Sequence, residues 1–326
     1  MVLLLVLFAP ACGGRQPAAP SPPGAIVANA SALATSYLNE IVGVMQSNSI
    51  NRSQINWTDF RAQVLARAQG AQTIADTYPA ISLALGLLGD QHSFYTTAGG
   101  SGIGNPSGRR CAAPPVSTPA VPADIGYVRV TSFSGSDAAA IRAFADSVQD
   151  QIRSGDQPNL AGWIVDLRGN GGGNMWPMLA GVGPVLGDGV AGYFMPPGGT
   201  SSEWGYVNGA AVLTGNAQAI ASSVYIPMRT TPRVAVLTDN LVASSGEAIA
   251  ISFRARPNAR TFGSATCGLS TANQTHRLSD GAMLYLTVAL MADRTRTSYG
   301  GSISPDEVVS GDGEVVERAI AWLRSE

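Results

Sequence analysis

The chain has 326 residues, of which 45% are hydrophobic and 13% charged, with 38 glycines; this composition supports a large buried core and excludes an intrinsically disordered chain. Its formal net charge is −2, and its 20 cationic side chains, all arginine, are dispersed among 22 acidic ones, which excludes the basic footprint of a nucleic-acid binder. Lysine is absent and histidine occurs only at His92 and His276, so a side chain that accepts a proton near neutrality is one of two imidazoles or a carboxylate.

Residues 1–24 read as an export signal followed by a tether. The apolar run before Cys12 is too short to span a bilayer but fits a signal-peptide core, and it resembles a bacterial lipoprotein signal in which Ala9, Pro10 and Ala11 precede a lipid-bearing Cys12. It departs from such signals in having no basic residue before the run and alanine in place of the usual leucine. A buried N-terminal strand is the alternative. The proline-rich stretch Gly13 to Gly24 has the composition of a spacer. On this reading the protein is exported, periplasmic or anchored in the bacterial envelope. With Cys12 lipidated, Cys111 and Cys267 remain as a pair in an oxidising compartment, where a disulfide and two separate buried thiols both fit. No Cys/His cluster has zinc-ligand spacing.

From residue 25 to residue 95 the apolar spacing predicts helices. Leu33, Tyr37, Leu38, Ile41, Val42 and Met45 share one face, and Trp57, Phe60, Val64 and Leu65 share another. A linker rich in Gly, Ser and Pro is expected over 96–124. The remainder, 125–326, alternates strand and helix patterns. Strands are predicted at Gly126 to Phe133, Trp163 to Arg168, Val234 to Leu237 and Met283 to Leu290. Helices are predicted after the cap candidate Asp137 and from Ser245 to Arg256. Such alternation indicates an α/β domain with a largely buried sheet.

Two segments carry chemistry. Ala243-Ser244-Ser245-Gly246-Glu247 follows a buried-strand pattern and opens a helix. A serine at that junction exposes its hydroxyl beside helix-start N–H groups that can stabilise an oxyanion. Ser244 is the candidate nucleophile and the Ser245 N–H a candidate donor, although Ser245 as nucleophile, or both as helix caps, also fit the local pattern. The glycines 171–173 follow another strand and can bring bare amides to a ligand, while a Walker-type phosphate loop would need the lysine this chain lacks.

Six segments in order, GlyAspGlnHisSer (89–93), TyrValArgValThrSerPhe (127–133), AspLeuArgGlyAsnGlyGlyGly (166–173), AlaSerSerGlyGluAla (243–248), LeuSerAspGlyAlaMetLeuTyrLeuThr (278–287) and IleSerProAspGluVal (303–308), resemble the C-terminal processing peptidases, or tail-specific proteases. The resemblance implies a serine endopeptidase acting on a protein or peptide substrate without metal or organic cofactor. It also implies a ClpP/crotonase-like α/β spiral core with an N-terminal helical subdomain. Ser244 matches the family nucleophile, and Gly172 and Ser245 match the backbone oxyanion donors. Gly268, Leu269 and Ser270 replace the GlyLysGly turn of the lysine-dependent members, so a Ser-Lys mechanism is excluded. The tricorn-like and retinoid-binding-protein-like branch carries a histidine where His92 stands, which makes His92 the expected base and His276 the second choice. The glutamate that orients the imidazole in that branch aligns with Tyr299, leaving Asp90, Glu247 and Asp306 as carboxylates without an assigned role. The short 96–124 stretch has no room for the PDZ domain many members insert there. The alternatives are a catalytically inactive member that binds small molecules or peptides, and a crotonase-like acyl-thioester enzyme.

Overall fold

The computed structural model describes residues 29–325, so the expected signal and the Cys12 tether lie outside the described residues. Helices α1 (Ala32–Asn48), α2 (Trp57–Arg67) and α3 (Tyr78–Leu87) come first. Ser31 and Asn56 cap the first two by accepting backbone N–H groups of their opening turns. Two short strands follow, β1 (Phe94–Thr96) and β2 (Gly102–Gly104). The stretch expected as plain linker therefore contains a strand, β2, paired antiparallel to β1.

The next elements are β3 (Ile125–Arg129), α4 (Ala138–Gly155), β4 (Gly162–Asp166), α5 (Met175–Leu186), β5 (Gly189–Met195), β6 (Ser202–Val207), β7 (Ala210–Leu213) and β8 (Asn216–Ile220). Then come β9 (Val234–Thr238), α6 (Ser245–Phe253), β10 (Ala259–Gly263), β11 (Thr271–Arg277), β12 (Met283–Asp293), β13 (Glu307–Val308) and α7 (Asp312–Arg324).

They form two sheets. A parallel sheet has the order β13-β10-β9-β4-β3, and its central strands β4 and β9 are buried along their whole length, as their unbroken apolar runs require. An antiparallel sheet has the order β2-β1-β12-β5-β6-β7-β8, with β11 on the other flank of β12. Helix α5 is apolar on every side and is buried accordingly, packed with α6 between the sheets. Helix α7 covers the opposite face of the parallel sheet with Val315, Val316, Ala319 and Leu323.

The N-terminal helices do not form a core of their own. Leu38, Ile41, Ile81 and Leu85 pack on Leu278, Ala282, Leu284 and Leu286, at the tip of the β11–β12 hairpin. Each such leucine contributes about 1.5–3 kcal/mol when fully buried, so the hairpin and the helices stabilise one another. The Tyr37 hydroxyl adds a polar tie by donating to Asp280 at 2.8 Å. The arrangement is the α/β core with a helical N-terminal part that the sequence implied.

Candidate active site

Ser244 caps α6 with φ 53° and ψ −117°, a conformation rare for a side chain with a Cβ and costing about 1–3 kcal/mol. Three neighbours hold it there. The Glu247 carboxylate accepts the Ser244 N–H at 2.9 Å. The Ala243 N–H donates to the Asn170 carbonyl at 3.0 Å. Gly172, at φ 96°, lies so close that a Cβ on it would sit 2.8 Å from Ser244 Cβ and 2.7 Å from the Ala243 carbonyl. The strain is thus fixed from both sides, with Ser244 and Glu247 in the capping-box positions at the start of α6.

Glu247 is fully buried and takes four donors. Besides Ser244, Leu269 N–H approaches Oε2 at 2.7 Å, Gly268 N–H approaches Oε1 at 2.9 Å, and the Thr266 hydroxyl donates to Oε1. Burial pushes its carboxyl above the usual range, against the pull of those four donors. The turn it grips begins Gly268-Leu269, the segment in which the sequence offers no lysine.

The glycine turn presents one amide forward. Gly171 N–H goes to Ser132 Oγ at 2.8 Å and Gly172 N–H to Asn170 Oδ1 at 2.9 Å. Gly173 N–H has no acceptor among the described residues, and neither has Ser245 N–H. This corrects the expectation for Gly172: its amide is engaged within the turn, and the residue of that turn with an available donor is Gly173. Gly171, Gly173, Ser244 and Ser245 line a cleft of about 1450 Å³, while Gly172 lies behind them as a spacer. The Ser245 hydroxyl donates to the Gly173 carbonyl at 2.6 Å and is largely buried, so of the two serines Ser244 holds the exposed tip.

His92 lines the same cleft. The backbone N–H groups of His92 and Ser93 both donate to Asp90 Oδ1, at 2.9 and 2.7 Å, and the Asn273 amide donates to the His92 carbonyl at 2.9 Å. Its Nδ1 lies 2.8 Å from Thr271 Oγ1. With Nδ1 as donor, Nε2 is left with its lone pair free to accept a proton. Burial pushes the imidazole down to about 4, with Asp90 and the Thr271 backbone acting in the opposite direction. No hydrogen bond joins His92 to Ser244.

The other candidates have different places. His276 does not line the cleft; it sits on β11 five residues beyond Thr271, its Nε2 is buried without a partner, and burial lowers its pKa. Tyr299 donates its hydroxyl to Asp293 at 2.9 Å. Asp306 binds Arg254 and the Thr261 hydroxyl and N–H. Each of the three unassigned carboxylates is therefore occupied in holding backbone or side chains, and the group on the imidazole is a threonine. Sequence reasoning missed Thr271, Asn170 and the grip of Glu247. The place of Glu247 as a helix-start partner was legible in the Ser-x-x-Glu spacing of a capping box, whereas its hold on the 266–269 turn was not.

Cys111 and Cys267 are joined in a disulfide across 156 residues. It fastens the segment between β2 and β3 to the turn held by Glu247. Arg109 lies over that turn and donates to the Cys267 carbonyl at 3.0 Å. Among the described residues the charged side chains lining the cleft are Arg52 and Arg109, and no carboxylate lines it.

Residues 124–309 match the domain of peptidase family S41. The chain is 30% identical over 271 residues to the nisin-resistance protein of Lactococcus lactis subsp. lactis, covering 83% of this chain and 80% of that one. Among solved structures it is similar to a lipoprotein from Streptococcus agalactiae, with a TM-score of 0.72 at 23% identity over 90% of this chain and 97% of that one. The photosystem II D1 C-terminal processing protease shares the fold with a TM-score of 0.51 at 16% identity, covering 87% and 96% of the two chains. Taken with the serine elbow and glycine turn described above, these matches show that the chain belongs to peptidase family S41, the family of the C-terminal processing peptidases.

Proposed function

We propose that the protein is a serine endopeptidase in which Ser244 is the nucleophile, His92 the base and the N–H groups of Gly173 and Ser245 the oxyanion donors. The observation that carries this reading is the strained Ser244, facing a cleft lined also by His92, with two amides without acceptors beside it. In the first half-reaction His92 Nε2 takes the hydroxyl proton as Ser244 Oγ bonds to the peptide carbonyl carbon. The carbonyl oxygen becomes the oxyanion, and its collapse breaks the C–N bond while the imidazolium returns the proton to the leaving amine. Water, deprotonated by the same imidazole, then bonds to the acyl carbon, and as the C–Oγ bond breaks the imidazolium returns that proton to Ser244 Oγ. The hydrogen bond between base and nucleophile forms as substrate closes the cleft and excludes water. Because each oxyanion donor is worth about 2.7–4 kcal/mol in the transition state, a correctly placed pair supplies much of the rate even where no carboxylate supports the imidazole.

The test is labelling with a fluorophosphonate probe. Ser244 is the modified residue, Ser244→Ala abolishes labelling, and His92→Ala slows it by at least about a hundredfold. Folded protein that does not label supports the binding-protein alternative, which the lack of a carboxylate on His92 favours. The name of the Lactococcus lactis relative makes nisin the first peptide to offer as substrate. Likeness to a lipoprotein, the nisin-resistance relative and the disulfide together support an extracellular or envelope location, with Cys12 as the lipid attachment point.

A further inference from the structure

We propose that the free edge of β11 is the substrate platform: an extended polypeptide adds to it as one further strand, bonding to the backbone of Asn273 and Thr275, and is led along it to Ser244. This rests on the peptidase reading and names the substrate form that reading leaves open.

Among the described residues β11 pairs with β12 alone, whereas the far flank of β12 is taken by β1 and β5. The outer flank of β11 therefore carries backbone groups with no strand against them. Which groups these are follows from the alternation of antiparallel pairs. Leu278 N–H donates to the Ala282 carbonyl at 2.9 Å, closing the hairpin and fixing the phase. Counting back from that pair, His276 and Gln274 bond inward to β12, and Thr275 and Asn273 turn N–H and C=O outward. The partner strand gives an independent check. Thr287, opposite Asn273, sends its N–H to Ser93 Oγ at 2.9 Å and takes Ile50 N–H on its carbonyl at 2.9 Å, both away from β11. The outward groups of Asn273 and Thr275 have no partner among the described residues.

The same edge borders the cleft. Asn273, Gln274 and Thr275 all line it, and since successive side chains on a strand point to opposite faces, three in a row mark the edge and not one face. Exposed edges are ordinarily guarded by lysine, proline or inward charge. β11 reads ThrAlaAsnGlnThrHisArg, with neither lysine nor proline, and its arginine stands at the end remote from the catalytic residues. Its near end is fastened to the chemistry, because Thr271 holds the His92 ring and Leu269 shares Glu247 Oε2 with the Ser244 N–H. At about 3.4 Å per residue, Asn273 and Thr275 lie about 7 and 14 Å along the strand from Thr271. A chain bonded there is in reach of Ser244 within a few residues.

Recognition of this kind reads backbone, so the substrate class is an unstructured polypeptide segment able to lie extended, with sequence preference set afterwards by the cleft walls. Thr275→Pro tests it, because proline removes an N–H that β12 does not use and is tolerated at an outward-facing edge position. Thr275→Ala, which keeps the N–H, is the control. With fluorescein-labelled casein as probe, Thr275→Pro should lower kcat/KM about tenfold through KM while fluorophosphonate labelling of Ser244 stays within twofold of wild type, and Thr275→Ala should lose clearly less than Thr275→Pro. Unchanged kcat/KM in Thr275→Pro overturns the proposal, as does casein being neither bound nor cleaved by protein that labels normally. Should Thr275→Pro fail to fold, hydrogen exchange of the Ser244→Ala protein decides: casein should slow exchange of the Asn273 and Thr275 amides, and unaltered exchange with casein bound refutes the platform. Absence of Ser244 labelling in wild type strikes the peptidase reading instead, and the exchange measurement still judges the edge.

Discussion

Glu247 accepts the backbone N–H of Ser244 at 2.9 Å and, on the same oxygen, that of Leu269 at 2.7 Å, so one carboxylate positions both the proposed nucleophile and the turn that leads to Thr271, which holds the proposed base. Its side chain never reaches the cleft, yet the elbow depends on it.

Replacing it tests that dependence. In Glu247→Gln an amide NH2 faces donors in place of an acceptor, leaving at least one buried N–H unsatisfied. The expected result is a loss of about 1–3 kcal/mol in urea denaturation together with a fall in Ser244 labelling. Full stability with full labelling would show the carboxylate to be dispensable.

The pH profile follows from burial of His92. Its pKa of about 4 leaves the imidazole neutral, and competent as a base, from weakly acidic conditions upward, so the acid limb of the labelling rate should lie near pH 4. The linkage sign is fixed as well. Between the ordinary histidine value of about 6.5 and the folded value the unfolded chain binds the extra proton, so this group removes stability as pH falls through that window. In His92→Gln the dependence of stability on pH should be shallower there, measured by urea titration at several pH values.

Thr271 separates positioning from packing. Thr271→Val keeps the shape, removes the hydroxyl and frees the ring to adopt the other tautomer. Labelling should fall about ten- to a hundredfold with little change in thermal stability. Thr271→Asp places a negative charge on Nδ1 and should move the acid limb to higher pH, a shift that a purely structural role would not produce.

Gly172 and Gly173 should tolerate no side chain, for different reasons. A Cβ at 172 meets the Ala243 carbonyl at 2.7 Å and at 173 the Phe133 carbonyl at 2.1 Å, both on positive φ. Gly172→Ala should distort the elbow it supports, and Gly173→Ala should displace an oxyanion donor; each should cost about 1–3 kcal/mol in stability and most of the labelling. Normal labelling in Gly173→Ala would move the oxyanion site elsewhere.

The parts of this fold that were legible in the sequence are those with one dominant signal. Trp163 to Arg168 and Val234 to Leu237 read as buried strands because each opens on an apolar run, and the strands are Gly162–Asp166 and Val234–Thr238; Asp137 caps α4 as its position implied. The ordered motifs placed Ser244, the glycine turn and His92, which the fold brings to one cleft. The meander from β5 to β8 left little signal, since strands such as Asn216–Ile220 are largely exposed and polar. Helix α5 was equally hard to read, because a helix buried on every side has no polar face to reveal its period and carries Pro184 within it. Thr271 was beyond sequence reasoning for a geometric reason: it meets a ring 179 residues earlier in the chain, a meeting set by the register of β11 on β12. Which glycine amide faces the cleft was hidden likewise, since it depends on where Asn170 aims its side-chain oxygen.

The bridge from Cys111 to Cys267 encloses most of the α/β core within one covalent ring. A single break in the backbone anywhere between those two residues, including the exposed part of the stretch that follows Cys111, releases no fragment while the sulfurs stay joined. The two pieces would migrate as one species until a reducing agent is added, and the elbow, the glycine turn and their supports would stay linked to the segment carrying the imidazole.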